Sequence, residues 1–338
     1  MKIYTQLSEF KKLDNAVVTI GTFDGVHFGH QKIIKRLCEL AKSSGGETVL
    51  LTFFPHPRMI IDPENQDLKM INTVDEKAQI LASLGVDHLI ITPFTRDFSN
   101  LSAEEYIKHI LVDAIGTKKI IIGYDHRFGK HRLGNIQTLA DNAEAFGYSV
   151  EEIPEQDIND VAVSSTKIRK ALLDGDVALA NEYLGYAFSI YGPVIKGDKI
   201  GRTIGFPTAN IFVSETYKLI PSDGIYAVTV EMDLKVESQR SKVESENSGV
   251  NETLSTLNPQ PSTFRGMAYI GQRPTINGMT RNIEVNIFDF DQEIYGQNIK
   301  MNFLAFLRHD VKFTGLEALK VQLQQDKEDT LSFFEGRS

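Results

Sequence analysis

Residues 21–30 read GTFDGVHFGH, between the apolar run AVVTI (16–20) and QKIIKRLCELAKSSGG (31–46), whose apolar residues recur at helical spacing. This is a strand handing over to a helix. A strand that ends on a glycine, here Gly21, lets other atoms approach its backbone, and the helix start beyond it turns free amides outward. Such a corner binds anions, phosphate above all. His27 and His30 bracket Gly29, so both imidazoles can lie near the helix start and face one anion. Imidazole N–H groups stabilise charge on a phosphoryl oxygen with no covalent step. Taken alone, H-x-G-H also fits two histidines that merely cap a helix. It fits zinc poorly, because no cysteine or carboxylate cluster of the usual form accompanies it.

The same handover repeats along the first half of the chain. Short apolar runs occupy 16–20, 47–53, 87–91, 119–123 and 148–153, with helical periodicity between them. In the first helix Ile33, Ile34, Leu37, Leu40 and Ala41 share one face. Thr73–Glu76 and Ser102–Glu105 have the form of capping boxes, and Gly45-Gly46 and Gly85 fall where helices should stop. Strands alternating with helices predict an α/β doubly wound, Rossmann-like parallel sheet over residues 1–185. In such sheets ligands sit at the carboxyl ends of strands, where the strand order reverses.

From about residue 186 the texture changes. Strand-like pieces such as FSIYGPVIKG, GIYAVTVEM, FRGMAYIGQRP, RNIEVNIFDF and IKMNFLAFLR are bounded by Gly, Pro and Asp, with no helix until GLEALKVQLQQDKEDTLSFF. This predicts an all-β barrel over 186–338 with a terminal helix. Residues 235–262 form a polar near-repeat of seven, its units ending at Ser241, Ser248, Ser255 and Ser262. Too few apolar residues and a run of prolines argue against a coiled coil, and the stretch reads as a low-complexity loop expansion without chemistry.

A length of 338 residues suits two domains, and an apolar share of 41% with 24% charged residues describes a globular protein. A net charge of −9 argues against a nucleic-acid or anionic-membrane surface as the main partner and leaves room for a local basic pocket. MKIYTQLSEFKKLDN lacks the apolar centre of a signal peptide, and no run approaches a membrane span, so a cytoplasmic protein is expected. The lone cysteine, Cys38, falls within an amphipathic helix pattern and reads as a packed thiol. A homo-oligomer is left open.

Three further stretches carry chemistry. In SSTKIR (164–169), Ser164, Ser165, Thr166 and Arg169 offer hydroxyls, helix-start amides and a forked cation to a phosphate chain, or an ordinary N-cap. GDKIGRTIGFPTAN (197–210) is glycine-rich, suited to backbone approach to a phosphate, and its Thr208 and Asn210 share a face if extended. Two such neutral oxygens suit a magnesium ion otherwise dressed by phosphates and water, and a plain Gly/Pro turn is the competing reading. In RNIEVNIFDF (281–290), Glu284 shares a face with Asn286, Phe288 and Phe290, as an exposed strand residue or a general base.

G-T-F-D-G-V-H-x-G-H resembles the signature of the nucleotidyltransferase superfamily in the form used by bacterial FAD synthetases. TFFPHP (52–57), GYDHRFG (123–129) and SSTKIR are similar to further motifs of that family, each at a strand-to-helix connection. The resemblance implies catalytic His27 and His30, and a nucleotide- and phosphate-binding set of Gly21, Phe23, Asp24, Gly29, His56, Asp125, Ser164, Ser165, Thr166 and Arg169. The family usually has Phe where His126 stands. PTAN, IEV, PSDGIYAV and FLRHDVKF resemble the riboflavin kinase module, which implies phosphate binding at Gly201 and Arg202, Mg²⁺ with ATP at Thr208 and Asn210, and Glu284 as base. Together the two resemblances imply that riboflavin and ATP give FMN, and that FMN and ATP then give FAD and pyrophosphate.

Overall fold

The computed structural model describes residues 1–336 except 63, 65–66, 155–162, 198–199, 234–261 and 276–277, so the seven-residue repeat, Ser262 apart, lies outside the described residues. The chain divides into two compact units. One comprises Met1–Asp174, Leu179–Tyr186 and Glu215–Ile220; the other comprises Gly175–Ala178, Ala187–Ser214 and Pro221–Ser338.

The first unit is built on six strands: β1 (Lys2–Tyr4), β2 (Ala16–Ile20), β3 (Glu47–Phe54), β4 (His88–Pro93), β5 (Thr117–Gly123) and β6 (Ser149–Ile153). They lie in the order β1-β4-β3-β2-β5-β6, with every neighbouring pair parallel. From β2 the chain winds one way through β3 and β4, then returns to wind the other way through β5 and β6. The strand order therefore reverses between β2 and β5. All five residues of β2 are buried, as expected of a parallel strand covered on both faces. Val17 packs with Ile33, Leu37, Leu40 and Ala41 of helix α1 (Phe28–Ser44), whereas Val18 and Ile20 pack with Ile107 and Leu111 on the opposite face.

Local signals explain the element ends. Helix α1 stops at Gly45, whose φ of 63° is left-handed. Both capping boxes form, with Thr73 and Ser102 each exchanging hydrogen bonds with the Glu three residues on. Cys38 packs against the cluster around Leu50 and Leu89, partly rather than fully buried. Two features depart from the sequence reading. The edge strand β1 is too short and polar to announce itself, and the helix begun at Ser102 widens into a π-helix over Tyr106–Ile115, which a 3.6-residue period does not disclose.

The second unit is a closed antiparallel barrel of β7 (Ser189–Ile195), β8 (Ala209–Ile211), β9 (Gly224–Met232), β10 (Ser262–Thr275), β11 (Gly278–Ile287) and β12 (Asn298–Arg308). The order around it is β10-β11-β8-β7-β12-β9. Phe188, Tyr226 and Phe303 are fully buried inside, the last two ring edge to face at 5.2 Å. One helical turn, Ile200–Thr203, interrupts a stretch expected to hold no helix; the Gly201 carbonyl closes it by accepting from Ile204 and Phe206 N–H. The helix Leu316–Glu335 packs on the barrel, where Arg308 forks onto the buried Asp326 through two contacts of 2.6 Å.

Candidate active sites

The loop after β2 is strained and held from every side. Phe23 and Val26 have φ of 45° and 34°, left-handed values that cost a non-glycine residue roughly 1–3 kcal/mol each. Four of its carbonyls are held by side chains: Thr22 by Lys77 Nζ (2.7 Å), Asp24 by Ser165 Oγ (2.9 Å), Gly25 by Tyr186 OH (2.6 Å) and Val26 by Gln31 Nε2 (2.9 Å). Asp24, fully buried, accepts Ile71 N–H at 3.0 Å on one oxygen and Arg169 Nη2 at 2.5 Å on the other. The loop is thus preorganised, with its geometry fixed before any ligand arrives.

His27 stands at the N-cap position of α1 but makes no side-chain cap hydrogen bond. The plain capping role therefore does not account for it. Its ring stacks on His30 at 3.7 Å between centroids, 18° from parallel, and Phe23 meets His30 edge to face at 5.0 Å. The Nδ1 atoms of both are buried without a protein partner, a kind of cost that folded proteins concentrate at functional positions. Burial lowers His27 to about 4. Burial, then the charges of His27 and Lys77, holds His30 well below the usual imidazole range. His56, lowered to about 3, and His126, lowered to about 4, are also governed first by burial and then by nearby cations. At neutral pH all four are uncharged N–H dipoles.

These groups line a cleft of about 930 Å³ at the β2/β5 reversal. Of the residues singled out in the first half of the sequence, Gly21, Phe23, His27, Gly29, His30, His56, Asp125, Ser164, Ser165, Thr166 and Arg169 all border it. Asp24 does not; it lies behind the wall as the anchor of Arg169. Ser164 caps the helix Ser165–Leu173 through Lys167 N–H, and His56 Nδ1 accepts Arg58 N–H at the start of Pro57–Ile61. The net charge leaves room for a local basic pocket, and the cleft is one, although the sequence did not say which cations form it. Among the described residues, Arg58, Arg96, Arg127, Lys130, Arg132 and Arg169 border it against Asp125 as the sole carboxylate. Arg58 and Arg127 lie in or next to the quoted motifs, but Arg96 lies in none. A trio of phenylalanines, Phe53, Phe94 and Phe98, with centroids 5.5–5.6 Å apart, forms an apolar wall.

In the barrel the structure brings Thr208, Asn210 and Glu284 together. Thr208 Oγ1 donates to Glu284 Oε2 at 2.9 Å, and Asn210 pairs with Glu284 across β8 and β11. Gly197 leaves room there for the Asn210 amide: a Cβ on it would fall 2.3 Å from Asn210 Nδ2, so that side chain would have to move. Gly201 and the exposed Arg202 sit on the helical turn leading to this cluster. Two supporting residues went unassigned. Asn282 Nδ2 donates to Glu284 Oε1 at 2.5 Å, and Asn286 Nδ2 donates to Pro207 O at 2.6 Å, fixing the PTAN turn. The two-residue alternation with Glu284 along RNIEVN is the signal that finds both.

A family model described as FAD synthetase matches residues 9–167, and one described as riboflavin kinase matches residues 184–334. The chain is 38% identical to the bifunctional riboflavin kinase/FMN adenylyltransferase of Listeria monocytogenes, over 95% of this chain and 93% of that one. The protein of the same description from Haemophilus influenzae is 36% identical over 95% of both chains. The chain belongs to the bifunctional riboflavin kinase/FMN adenylyltransferase family. Its first unit carries the FMN adenylyltransferase and its second the riboflavin kinase, with ATP as co-substrate of each. A crystal structure from Streptococcus pneumoniae, described as a macrolide-efflux protein, superposes with a TM-score of 0.81 at 31% identity, covering 97% of this chain and 98% of that one. Among the described residues of the present chain no helix is long and apolar enough to cross a membrane.

Proposed function

We propose that His27 and His30 stabilise the α-phosphate of ATP as an FMN phosphate oxygen attacks it and the bond to pyrophosphate breaks. The observation that carries this reading is the uncapped, stacked and partnerless histidine pair at a helix start, inside a cation-lined cleft. FMN arrives as an anion and needs no base, so the work is positioning and charge stabilisation. Neutral imidazoles suit it: they donate hydrogen bonds without repelling the neighbouring cations. Ser164, Ser165, Thr166 and Arg169 hold the phosphate tail, with Gly21, Phe23, Gly29, His56 and Asp125 shaping the nucleotide pocket. Asp24 acts through Arg169.

In the barrel Glu284 takes the proton of the riboflavin 5′-hydroxyl as that oxygen attacks the γ-phosphate, and ADP leaves. Thr208 and Asn282, both donating to its carboxylate, orient it. Gly201 and Arg202 approach the phosphates. The oxygens of Thr208 and Asn210 beside that carboxylate are hard donors that fit Mg²⁺, and no cluster of three or more His, Cys, Asp or Glu among the described residues offers an alternative cage. When bound with ATP, Mg²⁺ neutralises charge on the phosphates. Both reactions draw on ATP and small flavins, consistent with work in the cytoplasm.

A chain carrying His27→Ala and His30→Ala is expected to lose FMN adenylylation by at least roughly 100-fold while phosphorylating riboflavin normally. Glu284→Ala is expected to do the reverse. Flavins separated by chromatography over time read both rates. Normal FAD formation by the double histidine variant would remove the histidines from the mechanism.

A further inference from the structure

Residues Glu215–Ile220 come between β8 and β9 in the chain, yet they count with the first unit. They run beside residues 69–71 as a short parallel bridge. Met70 N–H donates to Tyr217 O at 2.7 Å, Leu219 N–H donates to Met70 O at 2.8 Å, and Lys69 Nζ reaches Thr216 O at 2.9 Å. The buried Lys218 sets its Nζ 2.8 Å from Ile71 O and 2.6 Å from Glu76 Oε2, the same oxygen that accepts Thr73 N–H. A desolvated ion pair of this kind adds little net stability, but it fixes geometry, since neither charge can move without leaving the other unpaired.

What the bridge fixes is Arg169. The guanidinium donates through Nε to Lys69 O at 2.9 Å and through Nη2 to Asp24 Oδ2 at 2.5 Å, while Asp24 Oδ1 is held by Ile71 N–H at 3.0 Å. Both contacts that orient the guanidinium therefore run to the stretch that Glu215–Ile220 clamps. A planar fork set in advance presents its remaining N–H groups to a ligand without reorganising.

We propose that Glu215–Ile220 is a positioning strap for the adenylyl-transfer site, with Lys218 as its anchor and Arg169 as the group it aims. This rests on the reading of Arg169 as a holder of the ATP phosphates. The strap is made from the stretch of chain that the riboflavin kinase match covers, so the adenylyltransferase borrows a part from its neighbour in sequence.

The test uses the full chain. Lys218→Met combined with Glu76→Gln removes both charges together. It is expected to raise the KM for ATP in FMN adenylylation roughly tenfold, as misplaced positioning groups do, while riboflavin phosphorylation by the same chain is unchanged. Arg169→Ala alone raises that KM at least as much. Adding the pair replacement to Arg169→Ala then costs little more, because the strap acts through that residue. Glu76→Gln by itself removes the countercharge of the buried Lys218 and raises that KM at least as much as the pair replacement. Lys69→Ala, which frees only Thr216 O at an exposed side chain, gives a smaller rise and serves if the double variant folds poorly. An Arg169→Ala chain with normal adenylylation overturns the phosphate reading and the strap with it. If Arg169→Ala is harmful but neither Glu76→Gln nor the pair replacement is, the strap alone falls. Fully additive penalties also overturn it.

Discussion

At the scale of single residues, the adenylyltransferase site is built from imidazoles kept neutral by burial. His27 and His126 titrate near 4 and His56 near 3, against about 6.5 in an unfolded chain. The unfolded state therefore binds more protons between those values. The stability these residues allow is whole above about pH 6.5 and drains away as pH falls toward 4. The urea midpoint of the first unit is expected to drop between pH 7 and pH 5, and His27→Gln or His56→Gln should flatten the slope. Asp24, raised by burial, works in the opposite sense, so comparing variants isolates the imidazoles. A midpoint with no pH dependence in this window would contradict the burial account. The histidine pair was legible in the sequence because both members lie in one turn of chain. The Asp24–Arg169 contact joins residues 145 apart, and no local pattern encodes such a meeting.

At the scale of elements, patterns written within a few residues came through well. The apolar strands, both capping boxes and the glycine stop of α1 depend on hydrogen bonds or burial within one or two turns. The π-helix Tyr106–Ile115 and the turn Ile200–Thr203 depend on tertiary packing and backbone closure, which residue type alone does not report. The terminal helix Leu316–Glu335 illustrates both. Its place in the sequence was legible, but its attachment through Arg308 and Asp326 was not. Asp326→Ala leaves Arg308 without its buried partner and is expected to cost the barrel unit about 3 kcal/mol, seen as a lowered denaturant midpoint. A change under roughly 0.5 kcal/mol would show that the fork is ornamental.

At the scale of the molecule, two reactions sit in two units, and a net charge of −9 coexists with a first cleft bordered by six described cations and one carboxylate. Composition speaks for the average surface and hides such a local reversal. A mixture of the His27→Ala/His30→Ala chain with the Glu284→Ala chain is expected to make FAD from riboflavin, after a lag while free FMN accumulates. No FAD from the mixture, with each partner active in its own half-reaction, would mean that FMN does not leave the chain that makes it. The placement of Glu215–Ile220 in the first unit bears on how that unit is born. A domain usually folds as it leaves the ribosome, but this one lacks its last piece until residue 220 emerges, 34 residues after Tyr186. At ordinary rates of synthesis that is a delay of roughly 2–7 s, during which β7 and β8 of the second unit are already in the open.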